Sequence, residues 1–127
     1  MEKTDRIKQI VNKEDLDQML KLAKTIIYIS VNWSGQERMS RHVVNQVFDD
    51  LNVDEIPVFE IDCLGTENKY VKDWINSQSS SIQRSYLNGY GETLLVNYGK
   101  VINHIKYPGE LGIEKTKMKI KRWLHEK

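Results

Sequence analysis

A continuous apolar run at residues 25–31, with the sequence TIIYISV, constrains the fold of this chain most strongly. The run is rich in β-branched residues and shorter than a typical buried helix, so it predicts a β-strand. It also lacks the alternation of apolar and polar residues that marks a strand with one face in water. Such a strand is typical of a parallel sheet that is covered on both faces by helices.

The segments around this run alternate between strand and helix patterns. Strand signals occur at residues 6–11 and 57–62, and apolar residues at helical spacing fill the two stretches between the three strands. The first helix is expected to begin at Asn12, whose side chain suits a helix N-cap. The second spans residues 36–51, and Met39 is predicted to lie in its buried stripe.

The rest of the chain adds a third helix and a hairpin. A helix is predicted at residues 67–77, and strands at 93–98 and 101–105 are joined by a tight turn. Residues 107–109 are expected to break the chain before a last helix at 113–124. The predicted order is therefore β-α-β-α-β-α-β-β-α, which describes an α/β fold with a mixed central sheet and helices on both faces.

The composition indicates one globular domain covering residues 1–127, because this length is close to the commonest domain size. No apolar run is long enough to span a membrane. Residues 1–20 show no secretory pattern, so a cytoplasmic protein is expected. No spacing of Cys, His and carboxylate residues suggests a metal site, and no cofactor is expected.

The net charge of +1 argues against a dedicated nucleic-acid binder, because such proteins rely on many phosphate contacts. The charge is unevenly spread, since residues 100–127 hold eight basic and three acidic side chains. This basic tail is either a solvated helix face or a surface for an acidic partner.

Several local strings resemble the thioredoxin-like family. Residues 33–39 (WSGQERM) resemble the active-site turn Trp-Cys-Gly-Pro-Cys-Lys-Met, and residues 59–62 (FEID) resemble the strand that ends in Ile/Val-Asp. Residues 8–10 (KQI) resemble the opening strand, and residues 92–101 (ETLLVNYGKV) resemble the Pro-Thr-Leu strand with its Asn-Gly-x-Val hairpin. The similarity covers nearly the whole chain and implies a thioredoxin-like fold.

The departures from this family concern its chemistry. Ser34 and Glu37 stand at the positions of the nucleophilic and resolving thiols, and disulfide exchange requires thiols. Tyr28 stands at the position of the family's buried Asp, Val58 at that of its Lys partner, and Glu92 at that of the cis-Pro. A non-proline cis bond is costly. The resemblance therefore indicates a redox-inactive member that lacks the CxxC motif.

We interpret the chain as a non-catalytic adaptor, accessory or immunity-type module that binds a protein or an extended peptide. The strand beginning at Thr93 is expected to offer backbone groups to such a peptide. The alternative is a serine-type glutathione-binding or glutathione-transferase-like enzyme that uses Ser34. The candidate binding residues are Trp33, Ser34, Gly35, Gln36, Glu37, Tyr86, Tyr90, Glu92 and Thr93.

Two candidate residues also have plain structural interpretations. Ser34 and Glu37 fit the Ser-x-x-Glu capping box, in which each side chain bonds the other residue's backbone N–H at a helix start. The single cysteine, Cys63, is either a reactive thiol or a small, partly buried apolar residue.

Residues 76–91 form the longest segment without a clear pattern. Tyr86 and Tyr90, among Ser, Gly and Asn residues, suit a recognition loop. The other interpretation is a helix extension with a surface linker, in which Ile82 and Leu87 turn inward.

The missing thiols lead to the first prediction. The protein should leave an insulin-type substrate unreduced in a thiol-dependent assay, at the rate of a blank without protein. Activity above the blank that disappears in Cys63→Ser would contradict it and identify Cys63 as a one-cysteine catalyst.

Overall fold

A five-stranded mixed sheet organises the chain in the computed structural model, which describes residues 7–10, 12–30, 35–51, 56–62, 69–78, 82 and 89–125. The strands are β1 (Ile7–Gln9), β2 (Lys24–Ser30), β3 (Val58–Asp62), β4 (Thr93–Asn97) and β5 (Lys100–Ile105). The helices are α1 (Lys13–Leu20), α2 (Gly35–Leu51), α3 (Lys69–Asn76), α4 (Pro108–Leu111) and α5 (Ile113–His125).

The strand order across the sheet is β1-β3-β2-β4-β5. Strand β3 lies between β1 and β2 and runs parallel to both. Strand β4 runs antiparallel to both β2 and β5. This arrangement confirms the predicted α/β class and the mixed sheet. One element differs, because residues 107–109 lead into the short helix α4 instead of only breaking the chain. Pro108 begins that helix, where the missing N–H of proline costs nothing.

The central strand β2 is buried on both faces, as its sequence predicts. Ile27 and Ile29 join the cluster that α1 and α3 cover. Ile26 and Tyr28 join the opposite cluster, under α2 and α5. The Asn12 cap is confirmed, since its side chain accepts a hydrogen bond from the Asp15 N–H at 2.9 Å. No described helix has the length and apolar character needed to cross a membrane.

The predicted burial of Met39 is wrong, because 54% of this residue is exposed. The buried stripe of α2 runs instead through Glu37 and Ser40 in the first turns, and continues through Val43 and Val44. Both polar side chains point inward because they find partners there: Tyr28 for Glu37, and the backbone of Gly109 for Ser40. Met39 therefore lies beside the stripe and faces solvent.

The segment after α3 is anchored at two points. Helix α3 ends at Asn76, and the Gln78 side chain accepts a hydrogen bond from the Val101 N–H of β5 at 3.0 Å. Ile82 is 1% exposed and belongs to the cluster with Ile75 of α3. The inward position of Ile82 is thus confirmed, and the helix does not extend through Gln78.

Five residues named in the sequence analysis lie outside the described residues. They are Trp33, Ser34, Cys63, Tyr86 and Leu87.

The burial of Ile82 leads to a stability prediction. Ile82→Ala should lower the free energy of unfolding by about 2–5 kcal/mol, because it removes a fully buried side chain and leaves a cavity. Urea unfolding measures the change, with Ile102→Ala as the control, since Ile102 is 42% exposed. Equal losses in the two variants would show that Ile82 is not part of the core.

Candidate functional site

Four polar side chains meet where β2 and β3 approach their carboxyl ends beneath the start of α2. Tyr28 of β2 and Glu60 of β3 are direct partners in the sheet register. Glu37 and Arg41 reach them from the first two turns of α2. We call these four residues the polar cluster. The carboxyl ends of parallel strands are where α/β proteins commonly place functional groups.

One guanidinium binds both carboxylates of the polar cluster. Arg41 donates to Glu60 as a fork, with Nη2–Oε2 and Nη1–Oε1 distances of 2.8 and 3.1 Å. It also donates to Glu37 through Nε and Nη2, both at 3.3 Å. The Tyr28 hydroxyl donates to Glu37 Oε2 at 2.9 Å, and the Arg41 guanidinium lies 5.0 Å from the Tyr28 ring centre. The four side chains therefore form one connected network.

The electrostatics of the polar cluster keep three of its groups in their ordinary protonation states. Burial, and then the charge of Glu37, raise the pKa of Tyr28. The hydrogen bond to Glu60 raises the pKa of Arg41 despite its partial burial. Burial acts to raise the pKa of Glu60, but hydrogen bonds from Arg41 and Ser30 outweigh it, so this pKa lies below its ordinary 4.5. None of these three groups exchanges protons near neutral pH.

Glu37 is bound by two residues whose pairing with it the sequence did not predict. The residue is only 3% exposed, and its carboxylate is held by Tyr28 and Arg41. The resemblance places a resolving thiol at this position. The structure places there a buried carboxylate that is bound on both oxygens. The Ser34 half of the capping box lies outside the described residues.

Ser40 joins α2 to two loops. Its hydroxyl donates to the carbonyl oxygen of Tyr90 and accepts from the Gly109 N–H at 2.9 Å. Gly91 packs into the same corner with a φ of +71°. A Cβ at Gly91 would lie 2.7 Å from the Tyr28 hydroxyl oxygen and 2.7 Å from the Ser40 Cβ, so only glycine fits there.

The strand that begins at Thr93, which the sequence predicts to offer backbone groups to an extended peptide, is the inner strand β4 of the sheet. This peptide-binding role of Thr93 stays a prediction. Thr93 is paired with Tyr28 on one side and with Ile105 on the other. The carbonyl before it, on Glu92, accepts from the Ile29 N–H at 3.0 Å. The carbonyl of Gly91 accepts from the Thr93 hydroxyl at 3.3 Å. These backbone acceptors are therefore already engaged within the chain.

Glu92 is also engaged internally. The residue is buried, and its carboxylate bonds Nδ1 of His104 on β5. The peptide bonds in the described part of the chain are all trans. Glu92 matches the position of the cis-Pro in thioredoxin-like proteins. In this chain its carboxylate contacts the His104 imidazole inside the fold.

The exposed Met39 lies close to two half-buried tyrosine rings. Tyr90 stacks on Tyr107 with a ring-centre distance of 4.8 Å and an interplanar angle of 12°. Gly109 lies between Tyr107 and Met39: a Cβ added to it would be 3.0 Å from Tyr107 Cε1 and 2.9 Å from Met39 Cβ. We call Met39, Tyr90 and Tyr107 the methionine–tyrosine patch.

Some of the predicted site residues lie together, and others do not reach the surface. Gly35 and Gln36 are exposed at the start of α2, and Tyr90 is half-buried in the methionine–tyrosine patch. Glu37, Glu92 and Thr93 lie beneath this surface with their side chains buried.

Sequence reasoning missed Met39 and Tyr107 as surface residues and Arg41 and Glu60 as partners. The only signal available was the i,i+4 spacing of Glu37 and Arg41. Within the described residues, no group of three His, Cys, Asp or Glu side chains could hold a metal ion.

Comparison with known proteins gives the fold. No protein-family model matches the sequence, and no curated protein sequence matches it. Among solved structures, a candidate oxidoreductase with a thioredoxin fold superposes with a TM-score of 0.64 at 6% identity, covering 93% of this chain and 96% of the other. A poplar thioredoxin h gives 0.60 at 15% identity, with 96% and 99% covered.

Mitochondrial thioredoxin 3 from Saccharomyces cerevisiae gives a TM-score of 0.59 at 13% identity, covering 94% of this chain and 96% of the other. At such low identities the likeness concerns the fold alone. The chain therefore has the thioredoxin fold, as the resemblance of its sequence implies.

The polar cluster leads to a prediction about acid stability. Because the pKa of Glu60 is lower in the folded chain than its ordinary 4.5, the ionised carboxylate stabilises the fold fully above that pH. This contribution is lost as the pH falls through the lower, folded-state pKa. Glu60→Gln should lower the free energy of unfolding by about 1–3 kcal/mol at neutral pH. The free energy of unfolding of this variant should also fall less than that of the wild type as the pH is lowered.

Urea unfolding from about pH 6 to about pH 3 measures this effect. Glu114→Gln is the control, because the Glu114 side chain is 84% exposed. A Glu60→Gln variant with the same pH dependence as the wild type would contradict the assigned role of Glu60.

Proposed function

We propose that this thioredoxin-fold chain is a protein-binding module that performs no thiol–disulfide exchange. The observation that carries the proposal is the state of Glu37. Glu37 matches the position of the resolving thiol in thioredoxin-like proteins. Here the residue is buried and bound by Tyr28 and Arg41. Such a group has no free oxygen for a substrate and cannot form a disulfide. The sequence contains a single cysteine, which supports the same conclusion.

The methionine–tyrosine patch supports a binding role. Methionine and tyrosine are enriched at protein interfaces, and an exposed methionine adapts to the shape of a partner. Here the exposed Met39 lies beside two stacked rings. The Ser40 hydroxyl fixes the loops that carry Tyr90 and Gly109. A surface that is already ordered loses less entropy when it binds.

The glutathione alternative finds less support. Binding a tripeptide in the manner of this superfamily needs available backbone groups beside the start of α2. The carbonyl groups of Tyr90, Gly91 and Glu92 instead accept hydrogen bonds from within the chain. The exposed Met39 beside the Tyr90–Tyr107 stack suits a protein surface, so a protein partner is the better proposal.

An affinity capture experiment tests the patch. Proteins retained by the wild type should be lost with Met39→Glu, because a charge in the centre of an apolar interface is left unpaired and desolvated. The matched control is Tyr98→Glu, which adds the same charge to a residue that is 73% exposed in the β4–β5 turn, where its N–H contacts the carbonyl groups of Leu22 and Ala23. For a partner identified in this way, Met39→Glu should weaken binding by at least about tenfold.

Two results would contradict the proposed function. One is equal retention of partners by the wild type and Met39→Glu. The other is saturable binding of glutathione by the wild type in a calorimetric titration, lost in Ser34→Ala, which would favour the enzyme alternative.

A further inference from the structure

An open groove of about 420 Å³ lies between the end of β5, the short helix α4 and the first half of α5. Its apolar lining comes from Ile105, Tyr107 and Leu111. Tyr107 also stacks on Tyr90, so the groove continues directly from the methionine–tyrosine patch. A partner that covers the patch would therefore have this groove beside it.

The groove is lined with positive charge. Lys106, Lys115 and Lys119 line it, opposed by one acidic side chain, Glu110. Lys115 and Lys119 are four residues apart on α5 and therefore lie on the same helix face, where like charges repel. The third lysine, Lys106, comes from the chain just after β5, and its ammonium group lies 5.9 Å from the centre of the Tyr90 ring.

A neighbouring lysine of α5 has acidic partners that Lys115 and Lys119 lack among the described residues. Lys117, on another face of α5, bonds Asp50 at 3.0 Å and Glu114 at 3.5 Å. Within the described part of the chain, neither Lys115 nor Lys119 has an acidic side chain within ion-pair distance. Among the residues that line the groove, Glu110 is the one acidic side chain opposing these charges, so an anionic ligand would relieve their repulsion.

We infer that this groove receives an acidic segment of the protein partner, in which carboxylates flank an apolar side chain. This inference rests on the proposed function, because it names the chemistry of the same partner. The apolar lining accepts the central side chain, and the lysines accept the carboxylates around it. A purely electrostatic ligand would not need the apolar floor formed by Tyr107 and Leu111.

Nucleic acid is the less suitable occupant. The chain carries nearly equal numbers of basic and acidic residues, 19 and 18. Affinity for nucleic acid depends on many phosphate contacts, and three lysines provide few. A peptide segment needs only a few charges in a fixed place.

A binding experiment with a synthetic peptide tests the inference. The probe is a short fluorescent peptide rich in glutamate around one central leucine, and the comparison peptide has glutamine in place of every glutamate. The groove variant is Lys115→Glu with Lys119→Glu. The control is Lys100→Glu with Lys121→Glu, which makes the same change in net charge at two exposed residues outside the groove.

We expect the acidic peptide to bind the wild type and the control variant, and the groove variant to bind at least about tenfold more weakly. Binding should weaken as salt is added, because the lysines that hold the carboxylates are near the surface. The glutamine peptide should bind much more weakly to all three proteins.

Several outcomes would overturn the inference. One is the absence of binding to the wild type at about 1 mM acidic peptide. Others are equal weakening in the groove and control variants, or equal binding of the glutamine peptide. Tighter binding of a single-stranded oligonucleotide or of anionic vesicles would assign the groove to another class of ligand. None of these outcomes changes the result of the Met39→Glu experiment, so the two proposals fail separately.

Discussion

The guanidinium of Arg41 holds together two carboxylates that could not otherwise lie under the same helix. Glu37 and Glu60 both point into the space between α2 and the sheet, and unpaired charges there would be costly. Arg41 pairs with both, and Tyr28 donates a further hydrogen bond to Glu37. These bonds fix the first turns of α2 over β2 and β3. The inward position of Ser40, the outward position of Met39 and the approach of α4 all depend on that placement.

Tyr28 and Glu37, two residues at which the sequence departs from the thioredoxin-like resemblance, depend on each other. The Tyr28 hydroxyl and the Glu37 carboxylate stand at two positions where the resemblance expects other groups, and here they are each other's partners. A cysteine at position 37 would leave the Tyr28 hydroxyl without its carboxylate acceptor. It would also leave Arg41 with one carboxylate partner instead of two. Tyr28 and Glu37 thus belong to one structural network, so these two departures from the resemblance are coupled to each other.

The fold was predictable because its signals are local. The apolar run of β2, the Asn12 cap and the β4–β5 hairpin each need only a few neighbouring residues to be recognised. The site was less predictable because its contacts join distant residues. Arg41 and Glu60 are 19 residues apart, and nothing in the sequence indicates their pairing. Met39 has the type and spacing of a core residue, but polar partners beneath the helix turned Glu37 and Ser40 inward and Met39 outward.

The Ser40 hydroxyl has a consequence for folding. Its two hydrogen bonds connect positions that are 50 and 69 residues apart in the chain. Contacts between such distant segments form only after long loops have closed, which makes them late events in folding. The loops that carry Tyr90 and Gly109 are therefore expected to reach their final positions only when the whole sheet has assembled. A partner that recognises this surface would in effect distinguish completely folded molecules from partly folded ones.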